Sequence, residues 1–239
     1  MKITKIFRDN LDDFWNTKKP TIAFLGDSVT QGCFESYRET NGEIETYFEQ
    51  DYAYHRYVQR ILAMFYPKVP VNIINAGLSC GNAPQGLERL ERDVICFNPD
   101  LTVVCFGLND STGGEGKLDL YYDSLVAIFN KLKDAGSEVI FMTPNMMNTH
   151  LSAHLDMDLK EAAENCMKIQ NEGMLEKYID KAKSASKRCD VRVCDVYSKW
   201  KALYENGVNI TELLSNKINH PTHEMNWIFA YSLVEEIMK

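Results

Sequence analysis

The segment TIAFLGDSVTQG, residues 21–32, decides the fold because a short apolar run ends abruptly in glycine, aspartate and serine. Residues 21–25 show no alternation of polar and apolar side chains, so they predict a strand that is buried on both faces. Such strands belong to parallel sheets covered by helices. Gly26 allows the chain to turn sharply off the strand, which places Ser28 at the start of the following helix.

Further runs of the same kind follow, and segments with helical spacing separate them. The runs cover residues 71–76, 101–106, 138–143 and 191–196, and the helical segments cover residues 52–65, 83–96, 118–135, 156–186 and 221–238. This alternation predicts a single α/β domain over residues 1–239, a three-layer sandwich of about five parallel strands with helices on both faces. We expect residues 1–20 to form an N-terminal extension or helix.

Composition narrows the range of partners. The formal net charge is -8, and acidic and basic residues are interspersed along the chain, which disfavours nucleic acid and anionic membranes. No stretch approaches the roughly 18 consecutive apolar residues of a membrane span, and residues 1–20 lack a signal-peptide core, so we expect a cytoplasmic protein. Seven cysteines are present, and Cys96, Cys105 and Cys194 lie inside apolar segments. Buried reduced thiols are therefore expected instead of disulfides.

Polar residues follow the predicted strands at the edge where parallel sheets bind ligands. Ser28 lies near unpaired backbone N–H groups that would stabilise negative charge on an attacked carbonyl. Gly77 and Asn109 follow the second and third strands, where an N–H group and a side-chain amide can act as further donors. His220 precedes the last predicted helix, with Pro221 suited to its first position. Each feature alone is equally typical of a cap, a turn or an exposed histidine.

Taken in order, these features resemble the GDSL, or SGNH, hydrolases. The blocks of that family correspond to Gly26-Asp27-Ser28, Gly77, Gly107-Leu108-Asn109-Asp110 and His220-Pro221. The resemblance spans about residues 21–238 and implies a flavodoxin-like sandwich that hydrolyses esters through an acyl-enzyme. It also implies roles for individual residues: Ser28 as nucleophile, His220 as general base, and the N–H groups of Ser28 and Gly77 with the amide of Asn109 as the oxyanion hole. Asp27 and Asp110, in the same blocks, are candidates for a supporting role.

One position departs from the family pattern. The base is usually preceded by an aspartate three residues upstream, and Lys217 stands there in this chain. We expect either a dyad in which a backbone carbonyl orients His220, which we favour, or a triad in which Glu212 or Glu224 reaches its Nδ1.

No cofactor or metal is expected. No Gly-x-Gly-x-x-Gly follows a strand and no Walker lysine motif is present. His150 and His154 are four residues apart but lack a clear third ligand.

The substrate implied by the resemblance is a small-molecule ester with a short acyl group, most simply an O-acetyl ester of a carbohydrate. Lysophospholipases and thioesterases of the same family, and a non-catalytic carbohydrate-binding relative, are the alternatives. Aromatic residues near the first block could stack on a sugar, enclose an acyl chain, pack in the core or form a homo-oligomer contact: Phe34, Tyr37, Tyr47, Phe48, Tyr52 and Tyr54. The sequence leaves the natural substrate, the acyl chain length and the oligomeric state open.

Overall fold

The computed structural model describes residues 2–239 and confirms the three-layer α/β architecture. A parallel sheet has the strand order β4-β1-β5-β6-β7. Its strands are β1 (Thr21–Gly26), β4 (Asn72–Gly77), β5 (Leu101–Cys105), β6 (Glu138–Met142) and β7 (Arg192–Cys194). All five predicted strands are confirmed, each within two residues of its expected bounds.

Helices cover both faces of the sheet. They are α1 (Lys2–Asp12), α2 (Ser28–Gln31), α3 (Tyr54–Phe65), α4 (Ala83–Asp93), α5 (Leu108–Ser111), α6 (Leu118–Asp134), α7 (Lys160–Asn171), α8 (Met174–Arg188), α9 (Val196–Glu205) and α10 (Asn226–Met238). Alternate residues of β1 face opposite layers: Phe24 packs with α1, α3 and α10, whereas Leu25 packs with α4 and α6. This two-sided burial explains the unbroken apolar run in the sequence.

Two helical predictions were wrong. Residues 156–186 form two helices instead of one, because Gly173 adopts a φ of +76° between α7 and α8. The last helix begins at Asn226 and not at residue 221. Pro221 instead forms an isolated antiparallel bridge with Leu214, which leaves residues 221–225 as a loop.

A hairpin and helix α9 were not predicted. Strands β2 (Cys33–Arg38) and β3 (Ile44–Phe48) pair antiparallel, separately from the main sheet. An Arg38 Nη2 hydrogen bond to the Asp158 carbonyl, at 3.0 Å, ties the hairpin to the segment before α7. The aromatic residues near the first block fall into two groups. Phe34 and Tyr54 are buried in the core, whereas four are exposed: Tyr37, Tyr47, Phe48 and Tyr52.

All seven cysteines are free. Cys105 and Cys194 are buried as predicted, but Cys96 is exposed, because α4 ends at Asp93 and Cys96 lies in a surface 3-10 helix. Its thiol donates to the Arg92 carbonyl at 2.8 Å. Within residues 2–239, no helix is both long and apolar enough to cross a membrane.

Arg89 joins the carboxyl ends of β1 and β4. Its buried guanidinium donates to the Gly26 carbonyl at 2.9 Å and to the Ala76 carbonyl at 2.7 Å. It also pairs with Asp93 at 3.1 Å. Because these two carbonyls immediately precede the turns that carry Ser28 and residues 78–82, Arg89 sets the spacing of the two turns.

We expect Arg89→Met to lower the free energy of unfolding by about 3 kcal/mol, because the Gly26 and Ala76 carbonyls each lose a buried charged donor and Asp93 loses one of its two arginine partners. Arg92→Met is the matched control: Arg92 pairs with the same Asp93 but is 76% exposed, so its loss should be small. Urea unfolding followed by circular dichroism measures both. Equal losses in the two variants would contradict the role given to Arg89.

Candidate active site

Ser28 lies at the first position of α2, directly after the tight turn that ends β1. Asp27 caps this helix, and its Oδ1 accepts from the Val29 N–H at 3.0 Å. A Cβ at position 26 would lie 2.0 Å from Thr30 Oγ1 and 2.8 Å from the Cys105 carbonyl oxygen, so only glycine fits the turn. Among residues 2–239 the Ser28 N–H has no acceptor, which leaves it available to a bound oxyanion.

His220 meets Ser28 from the far end of the chain. Its Nε2 is 3.0 Å from Ser28 Oγ, a distance at which a proton can pass between them. The loop that carries His220 is closed by the Leu214–Pro221 bridge and by a hydrogen bond from the Ser215 N–H to the His220 carbonyl at 2.7 Å. The structure thus brings together the two residues predicted to be nucleophile and base.

The imidazole of His220 is buried among uncharged groups. Its Nδ1 has two side-chain neighbours, Asn216 Nδ2 at 3.1 Å and Cys33 Sγ at 3.6 Å. Burial lowers the pKa of His220 to about 4, and a hydrogen bond to the Phe34 backbone opposes part of that shift. The ring is therefore neutral at neutral pH, as a general base must be.

The two glutamates considered as a third catalytic acid have other partners. Lys217 adopts a φ of +58°, and its Nζ lies 3.1 Å from the Glu212 carbonyl oxygen and 3.3 Å from Glu212 Oε2. Glu212 also accepts from Ser152 Oγ at 2.5 Å. Glu224 is exposed and is hydrogen-bonded to its own backbone and to Thr222. The Lys217 ammonium is consequently directed to Glu212.

The predicted oxyanion donors are only partly brought together. Asn109 Nδ2 donates one hydrogen to the Gly81 carbonyl at 2.9 Å and keeps a second for a ligand. The Gly77 N–H is donated to Asn75 Oδ1 at 3.0 Å. A Cβ at position 77 would lie 2.2 Å from the Gln31 backbone nitrogen, so Gly77 packs behind α2 and does not line the cavity at Ser28.

Cys80 is the residue that sequence reasoning missed here. It lines the cavity with Ser28 and Asn109, and its N–H has no acceptor in the described part of the chain. Its φ of +60° is unusual for a residue other than glycine or asparagine. The sequence favours Gly77 because that residue is a glycine, and nothing in the segment LSCGN, residues 78–82, shows which N–H is left without an acceptor beside the cavity.

Asp27 and Asp110 are buried carboxyl groups beneath the site. Burial raises the pKa of each to about 7. Asp110 Oδ1 accepts from the Ala83 N–H at 2.9 Å, which connects the Asn109 turn to the start of α4, whereas its Oδ2 is buried without a partner among the described residues. Asp27 therefore stabilises the turn at Ser28, and Asp110 stabilises the turn at Asn109.

The active-site cavity has a volume of about 550 Å³. Besides the residues already named, its lining comprises Ser36, Glu45, Thr46 and Phe48 of the hairpin, Ser79 beside Cys80, Leu159, Ala162 and Cys166 at α7, and Asn216, Ile218 and Asn219 of the His220 loop. The hairpin and α7 thus form walls over the carboxyl edge of the sheet. Serine hydrolases have this arrangement, in which a hydroxyl lies beside a neutral imidazole and free N–H donors and faces a cavity.

The chain belongs to the GDSL-like lipase/acylhydrolase family, whose profile matches residues 24–228. An acetylxylan esterase of Geobacillus stearothermophilus is 29% identical over 133 residues, which cover 52% of this chain and 58% of that relative. The match therefore spans less than two thirds of that relative.

Solved structures share the fold. The acetylxylan esterase Axe2 of Geobacillus stearothermophilus has a TM-score of 0.66 and 20% identity, with 91% of this chain and 94% of that chain covered. LAE5, an α/β hydrolase from the metagenome of Lake Arreo, has a TM-score of 0.67 and 17% identity over 90% of this chain and 94% of its own.

We expect Asp110→Asn to become more stable relative to the wild type as the pH rises. Burial raises the pKa of Asp110 from 3.8 to about 7, so the folded state holds the proton more tightly. The stability from this carboxyl is complete below about pH 4 and is lost as the pH rises through about 7. Urea unfolding from pH 4 to 8 measures the difference.

Asp119→Asn controls for the loss of one acidic group, since Asp119 is 89% exposed. A stability difference between Asp110→Asn and the wild type that stays constant with pH would show that Asp110 is not perturbed by burial.

Proposed function

We propose that this protein is a serine esterase that hydrolyses short-chain acyl esters, in particular acetyl esters of carbohydrates, through an acyl-enzyme. The observation that carries the proposal is the 3.0 Å contact between Ser28 Oγ and His220 Nε2 inside the active-site cavity. Family membership and the similarity to an acetylxylan esterase support the reaction and the substrate class.

In the proposed reaction, Ser28 Oγ attacks the ester carbonyl while His220 Nε2 takes its proton. His220 then returns that proton to the leaving alcohol, and water releases the acid in a second cycle of the same kind. The oxyanion is held by the N–H groups of Ser28 and Cys80 and by the amide of Asn109. Cys80 replaces Gly77 in this proposal because the Gly77 N–H already has Asn75 as its acceptor.

We propose a Ser28–His220 dyad without a third acid. Glu212 and Glu224 have other partners, and the hydrogen bond between His220 and the Phe34 backbone supplies the uncharged support expected of a dyad. Asp27 and Asp110 support the turns from below and take no part in proton transfer.

The cavity favours a small ester over a long lipid. Its volume falls within the range of small-molecule sites. Ser36, Glu45 and Thr46 can hydrogen-bond sugar hydroxyls, whereas Phe48 and Leu159 can cover a short acyl group. Phe48 is the aromatic residue of the predicted cluster that lines this cavity.

The seven free cysteines fit a reducing compartment, and we propose a cytoplasmic location.

A panel of p-nitrophenyl esters from acetyl to octanoyl, together with acetylated xylo-oligosaccharides, tests the substrate class. The proposal predicts the highest kcat/KM for acetyl esters. A maximum at octanoate would favour the lysophospholipase or thioesterase alternative. A protein that binds the oligosaccharide but releases no acetate would be a non-catalytic carbohydrate-binding relative.

We expect Ser28→Ala to abolish hydrolysis of p-nitrophenyl acetate and to change the free energy of unfolding by about 1 kcal/mol at most, because one hydroxyl at a helix start is lost. Ser124→Ala serves as a control, since Ser124 bonds the Leu120 carbonyl within α6, outside the cavity. Activity of Ser28→Ala within tenfold of the wild type would exclude Ser28 as the nucleophile.

We expect Asn109→Ala to lower kcat by about a hundredfold with little change in KM, since the oxyanion forms only after the substrate is bound. Steady-state kinetics on p-nitrophenyl acetate separate the two constants. An effect confined to KM would place Asn109 in substrate binding.

A further inference from the structure

Asn216 is a buried side chain that holds the loop of His220 together. Its Oδ1 accepts three backbone N–H groups, those of Ile218, Asn219 and His220, each at 3.0 Å. Its Nδ2 is 3.1 Å from His220 Nδ1 and 3.1 Å from Asn219 Oδ1. Asn216 therefore occupies, with a neutral amide, the place beside the base where a triad has a carboxylate.

The three backbone donors fix the orientation of this amide. If the Asn216 side chain were reversed, its NH₂ group would face three N–H groups and all of those hydrogen bonds would be lost. The side that faces His220 Nδ1 is therefore a hydrogen-bond donor. A neutral imidazole nitrogen that faces a donor must accept, and the ring proton then lies on Nε2.

We infer that Asn216 is a positioning residue that holds His220 in the tautomer with the proton on Nε2, and thereby restrains the reaction at Ser28. The inference rests on the proposed function and concerns the same site. In this tautomer Nε2–H donates to Ser28 Oγ and cannot take its proton. In a serine protease triad, an amide in place of the carboxylate fixes the same unproductive tautomer and lowers kcat about 10⁴-fold without disturbing the geometry.

Turnover proceeds through the other tautomer, which carries its proton on Nδ1. The side-chain acceptor at that nitrogen is Cys33 Sγ at 3.6 Å, and a thiol sulfur accepts only weakly; the Phe34 backbone, which also favours a proton on the ring, is uncharged as well. Burial raises the pKa of Cys33 to about 12, so the sulfur carries no charge. Asp27, in the nucleophile turn, is directed to the Val29 N–H, and Lys217 and Glu212 pair with each other. The productive tautomer therefore lacks a charged partner.

Asn216→Asp tests this inference with minimal change in shape. The carboxylate keeps one oxygen for the three backbone N–H groups and places the other next to His220 Nδ1. The Asn219 side-chain amide can reverse so that its NH₂ group donates to the new carboxylate. The proton should then move to Nδ1, which frees Nε2 to accept from Ser28. The neighbouring negative charge should also raise the pKa of His220.

We expect Asn216→Asp to raise kcat/KM for p-nitrophenyl acetate at pH 8 at least tenfold and to move the acid limb of the pH profile upward by about one unit or more. Lys217→Asn is the matched control. This substitution changes the net charge by the same amount and in the same loop as Asn216→Asp. Asparagine tolerates the left-handed backbone at position 217. The side chain replaced is directed to Glu212 and not to His220. Its acid limb should stay where the wild type has it.

The second readout needs no turnover. Long-range ¹H–¹⁵N spectra of ¹⁵N-histidine-labelled protein distinguish a protonated from an unprotonated ring nitrogen. We expect the proton of His220 on Nε2 in the wild type and on Nδ1 in Asn216→Asp. A wild-type ring protonated on Nδ1 would overturn the inference, as would a folded Asn216→Asp with unchanged rate and acid limb. Retained activity in Ser28→Ala would instead overturn the proposed function, which the spectra do not test.

Discussion

The position of β1 between β4 and β5 is the constraint on which the rest of the site depends. Gly26 pairs in register with Gly77 on one side and with Cys105 on the other, so three strands end at the same level. The chain leaves these ends through the Ser28 turn, residues 78–82 and the Asn109 turn. Arg89 and the Leu78 N–H both donate to the Gly26 carbonyl, which fixes the distance between the first two turns. The nucleophile and the candidate oxyanion donors are therefore positioned by the sheet itself.

Burial controls the electrostatics of this edge. It lowers the pKa of His220 and raises the pKa of Asp27 and Asp110, so each of these groups is displaced toward its neutral form. In such surroundings an uncharged amide at Nδ1 costs little desolvation, whereas a carboxylate would have to be buried. The Asn216 amide is thus compatible with a well-packed loop, although it gives the imidazolium formed during proton transfer no charged partner. Stability and catalytic rate make opposite demands on this position.

The sequence was sufficient for those parts of the fold and site that depend on local pattern. The five strands follow from apolar runs buried on both faces, and Ser28, Asn109 and His220 follow from their places near strand ends and in the final loop. Side-chain direction was not predictable. Nothing in the sequence indicates that the Gly77 N–H is taken by Asn75, that Cys80 has a positive φ, or that Asn216 and not Lys217 faces His220.

The hairpin was missed for a related reason. Its strands mix polar and apolar residues without a continuous apolar run and pair only with each other, so they lack the two-sided burial that marks the main sheet. The Pro221 prediction failed because the loop around His220 closes on itself through Leu214 before α10 begins.

The proposed function depends on Ser28 acting as the nucleophile of an acyl-transfer site. The most direct measurement treats the folded protein with a fluorophosphonate probe and maps the adduct by tandem mass spectrometry of its peptides. We expect a single adduct, on Ser28, that is absent when the protein is denatured before labelling. An adduct on another residue, or no adduct from a preparation that hydrolyses acetyl esters, would contradict it.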